Sequence, residues 1–452
     1  MTVVGARFAA STGGMPRAST LPIPGFRWDA VSLAALVFGG FGSAWLPPLM
    51  TIGGMSVRAS LPVLVVLVVG FALRCWVRGS APMVPYFGSL ALMWLPFFAW
   101  TLLRADDIVR ALGQATLLGL DIAHYIVVVW LLPPRRAQST RVVTLLGWAT
   151  VIGAAWMVAV TAGGRLGWPF FRDQFFGEEL AVYSSNGLAS VVVPRFIYGV
   201  IVGSFLGPLT VLFLTLATAK NGKGRRRCAM FAGASFVGLV LAISRGSILG
   251  LLVALAVALG LRLREPRAAA RLAAVLGVLL VAGTLGTAVF PGGSDAVAAT
   301  LGRATELTSV GSYETGTVAA RLTSWGAMLN DVVSDPLVGQ GALAFRRYFP
   351  PELTASENFP LEILHSAGVL GFVGLMSFQL RAILGGVRCA LKQAPGGGRD
   401  LVAGLTATCT AMLVVSVTNP FAWSPLYWIL FALLVCSTNG AKASSRAQVS
   451  AA

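Results

Sequence analysis

Three arginines and a few carboxylates stand out in a chain that is otherwise poor in charge. Arg245 sits in Ser244-Arg245-Gly246-Ser247, between two apolar runs. A guanidinium at such a turn, beside small residues whose backbone N–H groups can point outward, suits an anionic ligand. The plain alternative is an arginine snorkelling to lipid headgroups. Arg321 opens the stretch Arg321-Leu322-Thr323-Ser324-Trp325, and Arg195 precedes another apolar run. Planar, forked donors of this kind match a phosphate or pyrophosphate. The candidate bases are Glu357 and Glu362 in Ser356-Glu357-Asn358-Phe359-Pro360-Leu361-Glu362, then Asp106-Asp107 and Glu178-Glu179, each of which also reads as a solvated loop end. Asp121 and His124 fall three apart on one helix face, as a buried polar pair or a proton relay. With 2 histidines and 5 scattered cysteines, a His-rich or Cys-rich metal site is excluded, and no metal or cofactor is expected. No phosphate-binding loop, G-x-S-x-G or H-E-x-x-H motif occurs, which excludes an ATP-driven pump for this chain alone.

The elements that must hold these residues are membrane helices. Of 452 residues, 56% are hydrophobic and 11% charged, whereas soluble domains carry about 25% charged residues. Crossing a bilayer takes about 20 apolar residues per helix, and the uncharged runs, with two more around Asp121 and His124 and around His365, give about twelve helices by that measure. The last run, Leu401–Ala441, is long enough for two spans broken at Asn419-Pro420. The net charge of +17 is assigned to basic loops and not to nucleic-acid binding. Lysines and arginines cluster on alternate loops: the N-terminal tail, Arg74 and Arg78, Arg135 to Arg141, Lys220 to Arg227, Arg262 to Arg271, Arg381 to Arg399, and the tail with Lys442 and Arg446. That alternation puts both termini in the cytoplasm. The segment before Arg27 has no short apolar core with a cleavage site and reads as a retained tail.

The expected fold is an all-α polytopic membrane protein with one large extracytoplasmic loop carrying short helices. Residues 1–28 form a cytoplasmic tail, 29–290 the first nine transmembrane helices, 291–360 the large outer loop, 361–440 the last three helices and 441–452 a second cytoplasmic tail. Within the outer loop, Leu322, Trp325, Met328, Leu329, Val332 and Val333 recur at helical spacing, which predicts a short helix on the outer face. Asp335-Pro336-Leu337-Val338-Gly339-Gln340-Gly341 reads as the turn that ends it, since no strand precedes it to make a nucleotide fingerprint.

From about Ile243 to Gly374 the chain resembles the O-antigen ligase/polymerase superfamily of polytopic glycan transferases. The resemblance rests on an ordered set: Ser244-Arg245-Gly246 between two helices, Arg321 with Trp325, the Asp335–Gly341 turn, and Glu357-Asn358-Phe359-Pro360-Leu361-Glu362-Ile363-Leu364 followed by Gly368 and Gly371. The first half of the chain is similar in topology alone. The resemblance implies a GT-C-like fold at the plasma (inner) membrane, with an extracytoplasmic active site. It implies metal-independent, inverting transfer of a glycan from a polyprenyl (pyro)phosphate to the hydroxyl of a glycan or lipid-anchored glycan acceptor. Catalysis would fall to Glu357, Arg321 and Arg245, and substrate binding to Arg195, Asn358, Trp325 and Arg346. Many ligases of this family carry histidine where this chain has Glu357, and His365, eight residues on, does not occupy that motif position. Ligase and polymerase share this donor end, and both stay open.

Two other readings compete. One is a lipid-phosphosugar-dependent GT-C glycosyltransferase with Asp106 or Asp107 as base. The other is a proton-coupled transporter or flippase of a lipid-linked glycan, coupled through Asp121 and His124, although no internal repeat of the usual transporter kind is found.

Overall fold

The computed structural model describes residues 34–40, 50–52, 55–57, 60–78, 83–132, 136–165, 197–219, 222–242, 245–262, 265–277, 317–348, 358–417 and 423–451, apart from single positions within them. Apart from one antiparallel hairpin of β1 (Met50–Ile52) and β2 (Met55–Val57), the regular elements among these residues are helices. The helices are α1 (Ser60–Arg78), α2 (Phe87–Arg104), α3 (Ile108–Leu131), α4 (Arg136–Arg165), α5 (Ile197–Ala219), α6 (Gly222–Ala242), α7 (Arg245–Leu261), α8 (Thr317–Ser334), α9 (Phe359–Lys392), α10 (Gly397–Val415) and α11 (Pro425–Ala451), with a 3₁₀ turn at Ala344–Arg347. Among the described residues 5 helices are long and apolar enough to cross a membrane, and 4 shorter apolar helices accompany them. This is an integral, polytopic membrane protein. The apolar run from Leu401 divides into α10 and α11, with Asn419-Pro420 between them and outside the described residues.

Helices in lipid gain little from hydrophobicity alone, so they associate through close packing and internal hydrogen bonds. The pair α2 and α9 shows both. A Cβ at Gly374 would lie 2.5 Å from the backbone N of Met93 and 2.7 Å from the Ser89 carbonyl, so the two backbones are in direct contact. Threonines hide their hydroxyls on their own helix: Thr101, Thr150, Thr210 and Thr406 each donate to the carbonyl four residues back, at 2.6 to 2.8 Å. The main core runs along α3, α5, α10 and α11, with Tyr427, Trp428 and Phe213 fully buried.

The far end of the bundle, away from the candidate site, is stapled by charge. Arg262 pairs with Asp400 and donates to the Thr215 carbonyl at 2.9 Å and Thr218 Oγ1 at 2.5 Å. Arg399 pairs with Glu265 and donates to the carbonyls of Ala390 and Leu261, each at 3.0 Å. Both arginines were expected among the basic loops. Each is instead buried, because a guanidinium with five donors can close several helix ends at once.

Candidate functional site

The site end is organised by a break in α9. This helix has 34 residues, about 51 Å at about 1.5 Å per residue, while the hydrocarbon layer is about 30 Å thick. Residues 369–392, about 36 Å long, suffice for the crossing. The break falls at Gly368, with φ 69° and ψ −174°, a region open essentially to glycine alone. It leaves the carbonyls of His365 and Ser366 without helical partners, and the Asp335–Gly341 turn supplies them. Gln340 N donates to His365 O at 2.9 Å, Gly341 N to Ser366 O at 3.1 Å, and Val369 N returns to Pro336 O at 2.9 Å. Contact this close is why the turn carries glycines. A Cβ on Gly339 would collide with the Ser366 carbonyl, and Gly341, at φ 81°, lies against Trp100 and Thr101 of α2. Ala342 N donates to Thr101 Oγ1 at 3.0 Å and fixes the turn to α2 as well. The turn therefore does more than end a helix, as the sequence suggested; it splints the break.

On the N-terminal side of the break, α9 is capped and charged. Asn358 Oδ1 accepts from Leu361 N at 3.0 Å, and Phe359 N donates to Ser416 O at 3.0 Å, which joins the start of α9 to the end of α10. Glu362 lies in the first turn, where a carboxylate favours the helix dipole. It is buried, and Trp423 Nε1 donates to its Oε2 at 3.3 Å. Trp423 also lines a cavity of about 60 Å³ with Asp121, His124, Gln114 and Pro425. His124 Nδ1 lies 2.8 Å from the Leu120 carbonyl.

The helix predicted in the outer loop is α8. Pro336 cannot continue it and disfavours helical backbone at Asp335, so it stops at Ser334. Met328 packs with Phe345 and Leu361, and Trp325, Leu343, Tyr348 and Leu364 close over them. Beside this patch lies a polar cluster that sequence reasoning missed. Asp331 accepts from the Tyr348 hydroxyl and faces His365 Nε2 at 3.0 Å, and the Tyr348 and His365 rings meet edge to face at 6.0 Å. Burial raises the Asp331 carboxyl, but the Tyr348 and His365 hydrogen bonds, with the charges of His365 and Arg347, outweigh it and hold it below the usual carboxylate range. The bond to Asp331, then burial, pushes the Tyr348 hydroxyl up. Among the described residues His365 Nδ1 and Ser366 Oγ have no hydrogen-bond partner. The ring is thus oriented by a half-buried carboxylate.

The rim holds ion pairs. Arg347 grips Asp106 with Nε at 3.0 Å and a terminal nitrogen at 2.6 Å. Asp107 caps α3 by accepting from Arg110 N at 3.1 Å, and Arg104 meets Asp335 at 3.4 Å. The two carboxylates of the lipid-phosphosugar alternative are therefore engaged, Asp106 by Arg347 and Asp107 by a helix N-terminus and the Arg110 guanidinium at 3.3 Å. Among the described residues no three His, Cys, Asp or Glu side chains gather as a metal set.

The expected site residues fall as follows. Asn358 and Trp325, expected at the substrate, serve here as a helix cap and as a half-buried packing contact; both roles position α8 and α9. Arg346 is exposed on the 3₁₀ turn. Glu357, Arg195 and the Arg245 and Arg321 side chains lie outside the described residues. The helices that carry the last two are placed. Gly250 of α7 packs near Val415 at the end of α10, whose next residue bonds Phe359, so α7 begins at the end where α9 begins. Going back along α8 from Asp331 through Met328 follows α9 back from His365 to Leu361, and Arg321 sits one turn before Trp325.

Residues 230–376 match the family model for O-antigen ligase. The match runs from α6 through Arg245, Arg321 and the splint to just past the α9 break, and over it the likeness to the O-antigen ligase/polymerase superfamily holds. No curated protein matches the chain.

Proposed function

With its O-antigen ligase region as premise, we propose that the protein transfers a glycan from a polyprenyl (pyro)phosphate to an acceptor hydroxyl at the outer face of the plasma membrane. The supporting observation is the shared end of the bundle: the starts of α7 and α9 lie there, and α8 is docked on α9. Arg245 and Arg321 hold the diphosphate, and Glu357, one residue before the α9 cap, acts as base. It takes the acceptor proton as the acceptor oxygen bonds to the anomeric carbon. The bond from that carbon to the phosphate oxygen breaks on the opposite side, which inverts the centre, and the diphosphate leaves with the electron pair. Its charge is met by guanidinium groups, so no metal is required. Arg195 and Arg346 contact the donor or acceptor; Asn358 and Trp325 act by fixing the helices.

In this reading about twelve helices span the membrane by the 20-residue rule, with the boundaries given above and both termini cytoplasmic. The partners are the lipid-linked donor, a glycan or lipid-anchored glycan acceptor and membrane lipid. The test is transfer by the purified chain from a lipid-linked glycan, with chelator present. Arg245→Ala and Arg321→Ala should each lose about 10²–10³ in rate, the scale for removing one donor to a developing charge, while remaining in the membrane. Glu357→Gln should fall about as far. Normal transfer by both arginine variants would remove the clamp. The cavity at Asp121 and His124 favours the transporter reading, which predicts that Asp121→Asn abolishes function and the arginine variants do not.

A further inference from the structure

We infer that α8 lies in the plane of the membrane surface with one flank immersed in bilayer lipid. Two arcs around its axis differ in character, at about 100° per residue. The side chains turned to the protein are buried Ser324 and Met328, with half-buried Asp331 and Val332. Were α8 a surface helix in water, its apolar side chains would centre on that arc. They do not. Going round from Met328 the apolar residues run Val332, Trp325, Leu329, Leu322 and Val333. The last three lie about 100–140° past Met328 on that spacing. They are exposed, Val333 by 79%. Each is followed by an exposed polar residue: Leu322 by Thr323, Leu329 by Asn330, Val333 by Ser334. The helix thus has three sectors, one against protein, one apolar and uncovered, and one polar.

Continuity names the occupant of the uncovered sector. Leu337, in the turn after α8, is exposed, and the turn is seated on α9 through Val369 N and Pro336 O. From there the exposed apolar residues continue down α9 as Leu370, Val373, Leu380, Leu384 and Leu391, in helical register. On a membrane-spanning helix such a stripe faces lipid. The stripe of α8 is its prolongation beyond the break, and the Arg104–Asp335 pair marks the polar border beside it. A helix with an apolar flank and a polar flank, seated beside a membrane span, is the interfacial type. This placement fixes the height of the helix that bears Arg321 relative to the headgroups.

The test is spin-label accessibility of the full chain in liposomes of phosphatidylethanolamine and phosphatidylglycerol, without donor. Single labels go on Leu329→Cys, Val333→Cys, Asn330→Cys and Ser334→Cys, with Leu384→Cys as the lipid reference. The background is Cys75→Ser, since the other cysteines are buried. Collisions with oxygen report lipid, and collisions with a nickel chelate report water. Labels at 329 and 333 should group with 384, with a higher oxygen-to-chelate ratio than those at 330 and 334. Equal ratios at all four positions, or the reverse order, overturn the inference. Shielding of 329 and 333 from both reagents also overturns it, since a protein surface or a second copy would then cover the stripe. The pattern reads lipid contact and not transfer, so it stands or falls apart from the proposed activity.

Discussion

Gly368→Ala tests the splinted break directly. An alanine there meets two costs. The backbone at φ 69° and ψ −174° lies where side chains are excluded, worth about 1–3 kcal/mol. The new methyl would also sit 2.6 Å from the Leu337 carbonyl oxygen and 3.0 Å from its carbon. Both are backbone atoms and cannot swing aside, so the turn must lift. Lifting it exposes the three hydrogen bonds between 336–341 and 365–369, each worth about 0.5–1.5 kcal/mol net. Together these come to about 2.5–7.5 kcal/mol, enough to detach the turn and α8 with it. The matched control is Gly326→Ala, in α8, where a Cβ meets nothing within 4 Å; it should be neutral or stabilise by up to about 1 kcal/mol. The assay is thermal unfolding of the purified protein in detergent, with proteolysis between α8 and α9 as the local readout. Gly368→Ala should melt several degrees lower and be cut faster at 335–341. A Gly368→Ala protein as stable and as resistant as its Gly326→Ala counterpart would refute the splint.

Two further outcomes follow from the buried charges. Arg262→Ala leaves Asp400 buried and unpaired and should cost about 3–5 kcal/mol, whereas the double change to Arg262→Met and Asp400→Leu should recover most of it; equal losses in thermal melts would contradict the pairing. Because the folded Asp331 carboxyl is held below its usual range, its contribution is present at neutral pH and lost only as pH falls through the depressed value. Docking of α8, read by proteolysis, should therefore weaken below the ordinary carboxylate range in the wild type but not change there in Asp331→Asn, and a transition at the same acid pH in both would remove Asp331 as its origin.

Helix positions were legible in the sequence because apolar run length is a local signal, and the amphipathic spacing from Leu322 to Val333 sufficed to find α8. The break in α9 was not. No proline interrupts the run from Ile363 to Leu380, and Gly368 entered only as part of the family pattern; only the tertiary docking of 335–341 makes its backbone leave the helix. Asp331 and His365 are 34 residues apart and Arg262 and Asp400 138 apart, so no periodicity links them. Asp331 falls on the protein-facing arc with Ser324 and Met328, the one hint that a charged residue of α8 was turned inward. Asn358 was expected at the substrate from the family resemblance, yet its position before Phe359-Pro360 also spells a helix cap.

The central claim is that guanidinium groups at one end of the bundle stabilise a departing lipid diphosphate. The most direct measurement follows both products, in metal-free buffer with chelator: glycan joined to acceptor, and free polyprenyl diphosphate released from the donor. The account predicts that wild type forms the two in equal amounts with inversion at the anomeric carbon, and that Arg321→Ala forms neither at a comparable rate. Release of diphosphate by Arg321→Ala at the wild-type rate, or a glycosidic product with retained configuration, would contradict it.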